Sequence, residues 1–259
     1  MSVGNLRFRD QLTPRRFFEP PPKNVAVDVV LSVALLSHKY EVQHLRRRSI
    51  LHIEHNHSMD MDTFVSRWLG TRKGPWFVQG FVGLETLLNI IVTATYIDAL
   101  WVLPAAYYYC SDATPSHTLR ETSSWNSSQS AIVLRNILAG KINLEIMDVA
   151  YDDLLGTPPC SECLHREKCA SHKLAAAQKV RLSITQRKPA GRKSHTLARW
   201  WDRKWLKNKH CKGLCAPCSS ACMSAYESAR GDYWDKIPSA FNLPSWEELK
   251  SLRETNFSE

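Results

Sequence analysis

Along much of this chain apolar residues recur at intervals of three and four, the period that predicts helices rather than strands. Residues 31–48 (LSVALLSHKYEVQHLRRR) predict two helices broken around 39–41. The first is apolar on nearly every face. The second is apolar only at Val42, Leu45 and Ile53, with Arg46, Arg47 and Arg48 turned outward. In the most apolar region, 76–110, Phe77, Phe81, Leu84, Leu88, Ile91 and Thr95 share a face, and Pro104 stands where a new helix over 105–110 can begin. Residues 112–129, rich in Ser and Thr, predict a surface loop. A helix over 130–155 should follow, with Leu134, Leu138, Ile142, Ile146 and Val149 in one stripe and Gly156, Pro158 and Pro159 as its stop. Further on, Cys222, Tyr226, Ala229, Tyr233 and Ile237 line another helix. Ser245 and Glu248 spell a capping box for a short last one that turns Trp246, Leu249 and Leu252 inward. Residues 1–22 hold no alternating apolar run long enough for a sheet, so the expected fold is mainly α.

At 259 residues and 44% hydrophobic the chain can bury a real core, expected as two lobes divided at Gly156. Glu85, Asn89 and Asp98 interrupt the apolar region, which leaves no span of about 20 apolar residues for a bilayer. No charged-then-apolar leader opens the chain, and the expected location is cytoplasm or nucleus. In that compartment eight cysteines are thiols or metal ligands more often than disulfides.

Seven of the eight cysteines follow residue 156, as Cys160-x2-Cys163-x5-Cys169 and Cys211-x3-Cys215-x2-Cys218-x3-Cys222. Two close pairs brought together can hold four thiolates about 2.3 Å from a zinc ion, a closed and therefore structural site. By spacing alone the choice of four is open: Cys160 or Cys211 could enter the set, and His165, His172 and His210 are near enough to compete. The competing reading is a group of reduced, partly buried thiols that bind nothing.

Between the clusters the charge is lopsided. Residues 179–212 contain 12 Lys or Arg against one acid, Asp202, and so carry +11 where the whole chain carries +9. Trp200, Trp201 and Trp205 alternate with Arg199, Arg203, Lys204 and Lys207, a composition suited to phosphates and stacked bases. A zinc-stabilised nucleic-acid-binding module over 179–222 is therefore the alternative function. The preferred reading is a disordered basic loop over 186–194 and then an amphipathic helix, because Trp201 and Trp205 share a helical face as core residues do.

Catalytic patterns are absent from the sequence. It has no glycine-rich phosphate loop, no His-Glu-x-x-His and no Gly-x-Ser-x-Gly. His52, His55 and His57 are expected as unliganded surface histidines, Asp152 with Asp153 and Glu247 with Glu248 as helix-end carboxylates, and Cys110 as a packed thiol. Asn126 and Asn256 match a glycosylation acceptor by spelling only.

Four separated blocks resemble one family. Residues 15–22 (RRFFEPPP), 31–48, 98–110 (DALWVLPAAYYYC) and 233–249 (YWDKIPSAFNLPSWEEL) are similar to segments of BTB/POZ domain proteins of mushroom-type fungi. The second block is similar to the C-terminal helix pair of that domain. The resemblance implies a tail over 1–22, a helical BTB-C-terminal or BACK-like lobe over 23–156, and a cysteine-rich helical module over 157–259 with the basic insert 179–212. It implies a non-enzymatic adaptor or scaffold that binds other proteins, such as a cullin-type ubiquitin ligase scaffold, and no membrane. A "Cx5C" pair and a later "LCxxC" in similar proteins fall here on Cys163, Cys169, Cys215 and Cys218, the implied ligands of a structural Zn2+. The sheet and first helix through which the family dimerises do not precede the helix pair, so a monomer is expected.

Overall fold

The fold is seen in a computed structural model that describes residues 18–21, 23, 25–70, 83–111, 113–123, 127–152, 157–185 and 211–258. It is mainly α, with ten helices, one 3-10 turn and no strand among the described residues. None of those helices is long and apolar enough to cross a membrane. The expected stop at Gly156, the stripe members Phe77 and Phe81, and the basic loop with Trp200, Trp201 and Trp205 lie outside the described residues.

The chain gathers into two compact units that interleave in sequence. One is built from the described parts of 1–110, 121–133 and 246–259, the other from those of 111–120 and 134–245.

In the first unit α1 (Val27–Lys39) and α2 (Gln43–Asn56) form the expected pair. α1 buries Val30, Leu31, Ala34 and Ser37, one face at helical spacing, with Asp28 in its first turn and Lys39 in its last to match the helix dipole. It stops without a glycine. Glu41 takes the left-handed conformation at φ 56°, while the Val42 N–H donates to Ser37 O at 2.8 Å and the Glu41 N–H to His38 O at 3.3 Å. The same closure ends α4 (Leu84–Tyr96) at Asp98 and α9 (Ala216–Ala240) at Asn242.

The arginines of α2 depart from expectation. Arg46 donates to Ile97 O at 2.9 Å, satisfying a carbonyl at the C-terminal end of α4, and Arg48 donates to Phe18 O. Both are half-buried, because the carbonyls they serve face inward where water cannot replace them. His52 and His57 are also buried rather than on the surface: a ring nitrogen of His52 bonds Glu19 O at 2.6 Å, and Nδ1 of His57 bonds Ile53 O at 2.9 Å. Asp60 belongs to no ligand set; its Oδ1 accepts the Thr63 N–H at 2.8 Å and caps α3 (Met61–Gly70).

The core of this unit is α4, the 3-10 turn Leu100–Val102 and α5 (Leu103–Cys110), where Leu88, Ile90, Ile91, Ile97, Trp101, Val102 and Tyr108 are all buried and Thr95, expected inward, is exposed. Cys110 packs there, its thiol pKa raised by desolvation. α10 (Trp246–Ser258) closes the unit with Trp246 and Leu249 buried and Leu252 largely exposed. Its Phe257 ring lies 6.0 Å from that of Trp101, under the guanidiniums of Arg47 at 5.1 Å and Arg253 at 5.0 Å, and Arg253 pairs with Glu54 at 2.9 Å. The last helix therefore joins the first unit although it follows the cysteines in sequence.

Two expectations fail between residues 112 and 155. The Ser/Thr-rich segment holds a helix, α6 (Pro115–Thr122), because Thr114 Oγ1 accepts the His117 N–H at 3.3 Å and Pro115 fits a first helical position. The long helix α7 (Ser127–Asp152) forms, yet Ile142 and Ile146 of the expected stripe are 59% and 64% exposed. Its inward residues are Val133, Asn136, Ile137, Gly140 and Leu144. The end of α9 selects that face: Asn143 donates to Ala240 O at 2.9 Å, Asn242 to Asn136 Oδ1 at 3.3 Å, and the Phe241 ring lies where a Cβ on Gly140 would be. α9 itself buries Tyr226, Ala229, Tyr233 and Ile237 as expected.

Gly140→Ala should cost about 1–3 kcal/mol through overpacking against Phe241, read as a lower urea midpoint; an unchanged midpoint would contradict this packing. A pH dependence follows from His57, whose pKa desolvation lowers from 6.5 to about 4. The folded state holds the imidazole neutral, so the unfolded chain binds the extra proton and stability falls as pH drops from about 6.5 to about 4. The loss is of order 3 kcal/mol. His52, lowered chiefly by desolvation, acts in the same direction. Denaturation curves between pH 7.5 and pH 4 should show this slope, and His57→Asn should flatten it.

Candidate metal centre

Four thiols meet in the second unit. A turn in which the Cys163 N–H donates to Cys160 O at 3.2 Å leads into α8 (Arg166–Thr185), so Cys163 stands just before the helix and Cys169 in its first turns, its N–H bonded to His165 O at 2.9 Å. On the other segment Cys215 is the residue that precedes α9, in extended conformation at φ −66° and ψ 162°, and Cys218 is three residues into it. Cys-x-x-Cys across a helix start points both sulfurs the same way, and the free N–H groups there favour thiolates.

The Sγ atoms of Cys163, Cys169, Cys215 and Cys218 all lie within 4.8 Å of one another. In a tetrahedron with 2.3 Å arms neighbouring sulfurs are about 3.8 Å apart, and Cys163 and Cys215 stand at 3.8 Å. Cys169 and Cys218 are buried, Cys163 and Cys215 half-buried. The Cys215 N–H donates to Cys169 Sγ at 3.4 Å, a bond that favours the charged sulfur. This cluster could hold a metal ion, and with four protein ligands it leaves no position for a substrate. The set matches the four residues implied by the resemblance. His165 and His172 are exposed and outside it; His210 lies outside the described residues.

Cys215 and Cys163 are shifted in opposite directions. The backbone amide of Cys218, then that of Leu164, helps draw Cys215 down to about 6 against desolvation, whereas desolvation with the neighbouring thiols pushes Cys163 up to about 12. Four negative sulfurs this close repel one another, and a dication removes the conflict.

Around this set stand three more thiols and one cation. Cys160 Sγ is 3.5 Å from Cys218 Sγ. Cys211 and Cys222 share a hydrogen bond that lowers Cys222 to about 7 and raises Cys211, with the Lys173 ammonium favouring the thiolate of each. Lys173 is buried, its Nζ donating to Pro158 O at 3.1 Å and Thr157 Oγ1 at 3.3 Å, so it ties the segment before Cys160 to α8. No local pattern marks this role, since a lysine in a helix of charged residues and alanines resembles a solvated one. Gly213 is required by its φ of 98° and by the His172 ring, 2.7 Å from where its Cβ would stand.

Cobalt(II) titration should show one tetrahedral thiolate complex per chain by its visible absorption. Replacing Cys169 or Cys218 by Ser should lower affinity at least about tenfold, while Cys110→Ser leaves it unchanged. Equal affinity in all variants would overturn the assignment. No protein family, no curated protein and no solved structure matches the chain.

Proposed function

We propose that this chain is a non-enzymatic, BTB-like adaptor that binds other proteins through its first helical unit, and that a structural zinc ion at Cys163, Cys169, Cys215 and Cys218 holds its cysteine-rich segments together. The observation that carries the binding role is a row on α1. Val29, Leu36 and Tyr40, seven and four residues apart, are 37%, 55% and 65% exposed, while the opposite face is buried. Tyr96, also 51% exposed, stands edge-on to His38 at 5.2 Å on another side of α1. Aromatic and large aliphatic side chains gathered in this way supply anchors that bury well against a partner. An all-thiolate tetrahedron suits zinc, which has no preferred geometry of its own. A cullin-type ubiquitin ligase scaffold is the partner implied by the resemblance of residues 31–48 to the BTB helix pair.

Purified chain should carry close to one zinc ion by elemental analysis and bind an immobilised cullin-type scaffold. Leu36→Asp should raise Kd at least about tenfold without changing helix content. Absence of binding by the unaltered chain would overturn the partner, and self-association lost in Leu36→Asp would replace the adaptor by a homo-oligomer. The +11 charge of residues 179–212 supports the second reading, nucleic-acid binding. Labelled oligonucleotides should bind no tighter than about 10⁻⁶ M at physiological salt, and a nanomolar complex would put that reading first.

A further inference from the structure

The four-thiolate set has a fifth thiol against it. Cys160 Sγ lies 3.5 Å from Cys218 Sγ, closer than Cys163 is to Cys215 within the set itself. It is not one of the four mutually close ligands, and a tetrahedral ion has no place for it. It is half-buried whereas Cys218 is fully buried, so of these two an oxidant from solvent meets Cys160 first. It also sits in the segment 157–160 just ahead of α8, outside regular secondary structure, where a movement of about 1.5 Å needs no helix to unwind.

We propose that Cys160 is an oxidation site for hydroperoxides, and that its disulfide with Cys218 opens the metal centre. In the first step the Cys160 sulfur attacks the terminal peroxide oxygen; the O–O bond breaks, Cys160 becomes a sulfenic acid, and the other oxygen leaves with the thiol proton as water from hydrogen peroxide or as an alcohol from an organic hydroperoxide. In the second the Cys218 thiolate attacks Cys160 Sγ; the S–S bond forms, the S–O bond breaks, and with one proton taken up the hydroxyl departs as water, so that Cys218 would no longer serve as a ligand. Two thiols thus lose two electrons to one peroxide. Cys163, Cys169 and Cys215 remain as three ligands, too few to hold the ion as before. Thiol reductants reverse the bond by exchange. The inference rests on the zinc reading for its consequence, but not for the disulfide, which is argued from the 3.5 Å separation of the two sulfurs.

The full chain, purified without chelator, is assayed for zinc and then treated with a small excess of hydrogen peroxide. A chromophoric zinc indicator follows release, and tandem mass spectrometry maps the bond. The expected result is a Cys160–Cys218 disulfide as the first product, with one zinc released per bond and recaptured after reduction. Cys160→Ser should retain its zinc before oxidation and release it at least about tenfold more slowly; Cys110→Ser should release it at the original rate. Release equally fast from Cys160→Ser, or a first disulfide that omits Cys160, overturns the proposal. A chain that carries no zinc yet forms the Cys160–Cys218 bond refutes the zinc reading and leaves the oxidation site standing.

Discussion

Four sulfur atoms gathered within 4.8 Å set the terms for the second unit. They come from two segments separated by the 45 residues between Cys169 and Cys215, and closing a loop of that length costs about 3 kcal/mol in its logarithmic part alone. Among the described residues of 164–177, apolar burial near the sulfurs is thin: Ala176 and Ala177 of α8 are small, and Leu164 and Leu174 are 68% and 59% exposed. A structural zinc contributes about 10–16 kcal/mol in small domains, several times the closure cost, whereas four uncompensated thiolates would add repulsion.

The first unit answers to another constraint. Its core includes Leu88, Ile90, Ile91, Trp101 and Tyr108, and part of its polar work goes into backbone carbonyls, one at a helix end and two in the segment before the first helix. Arg46 serves Ile97 O, Arg48 serves Phe18 O and a ring nitrogen of His52 bonds Glu19 O. Charge in this unit is thus used in part to satisfy buried carbonyls, which is why basic residues in an arginine run are not all solvated.

Helix existence was legible from period, as α1, α4, α7 and α9 show, and so were the four sulfurs, from their spacing and the family resemblance together. Orientation was less so. α7 has two candidate faces, and the aliphatic one loses because Gly140 lets the Phe241 ring approach and Asn136 and Asn143 find partners at the end of α9. Nothing local records that choice. α6 was hidden because Thr-Pro-Ser reads equally as turn or cap, and the ends at Glu41, Asp98 and Asn242 were hidden because left-handed closures usually advertise themselves with glycine. The interleaving of the units was invisible for a similar reason: the contact of Phe257 with Trp101 spans most of the chain.

The central claim is that a cation at Cys163, Cys169, Cys215 and Cys218 organises the cysteine-rich segments while the first unit stands on its own core. Amide hydrogen exchange with and without a strong chelator tests it most directly. The account predicts that chelation speeds exchange across residues 160–169 and 211–222 and leaves the amides of α4 and α5 as protected as before. Equal protection of 160–169 and 211–222 in both conditions would contradict it.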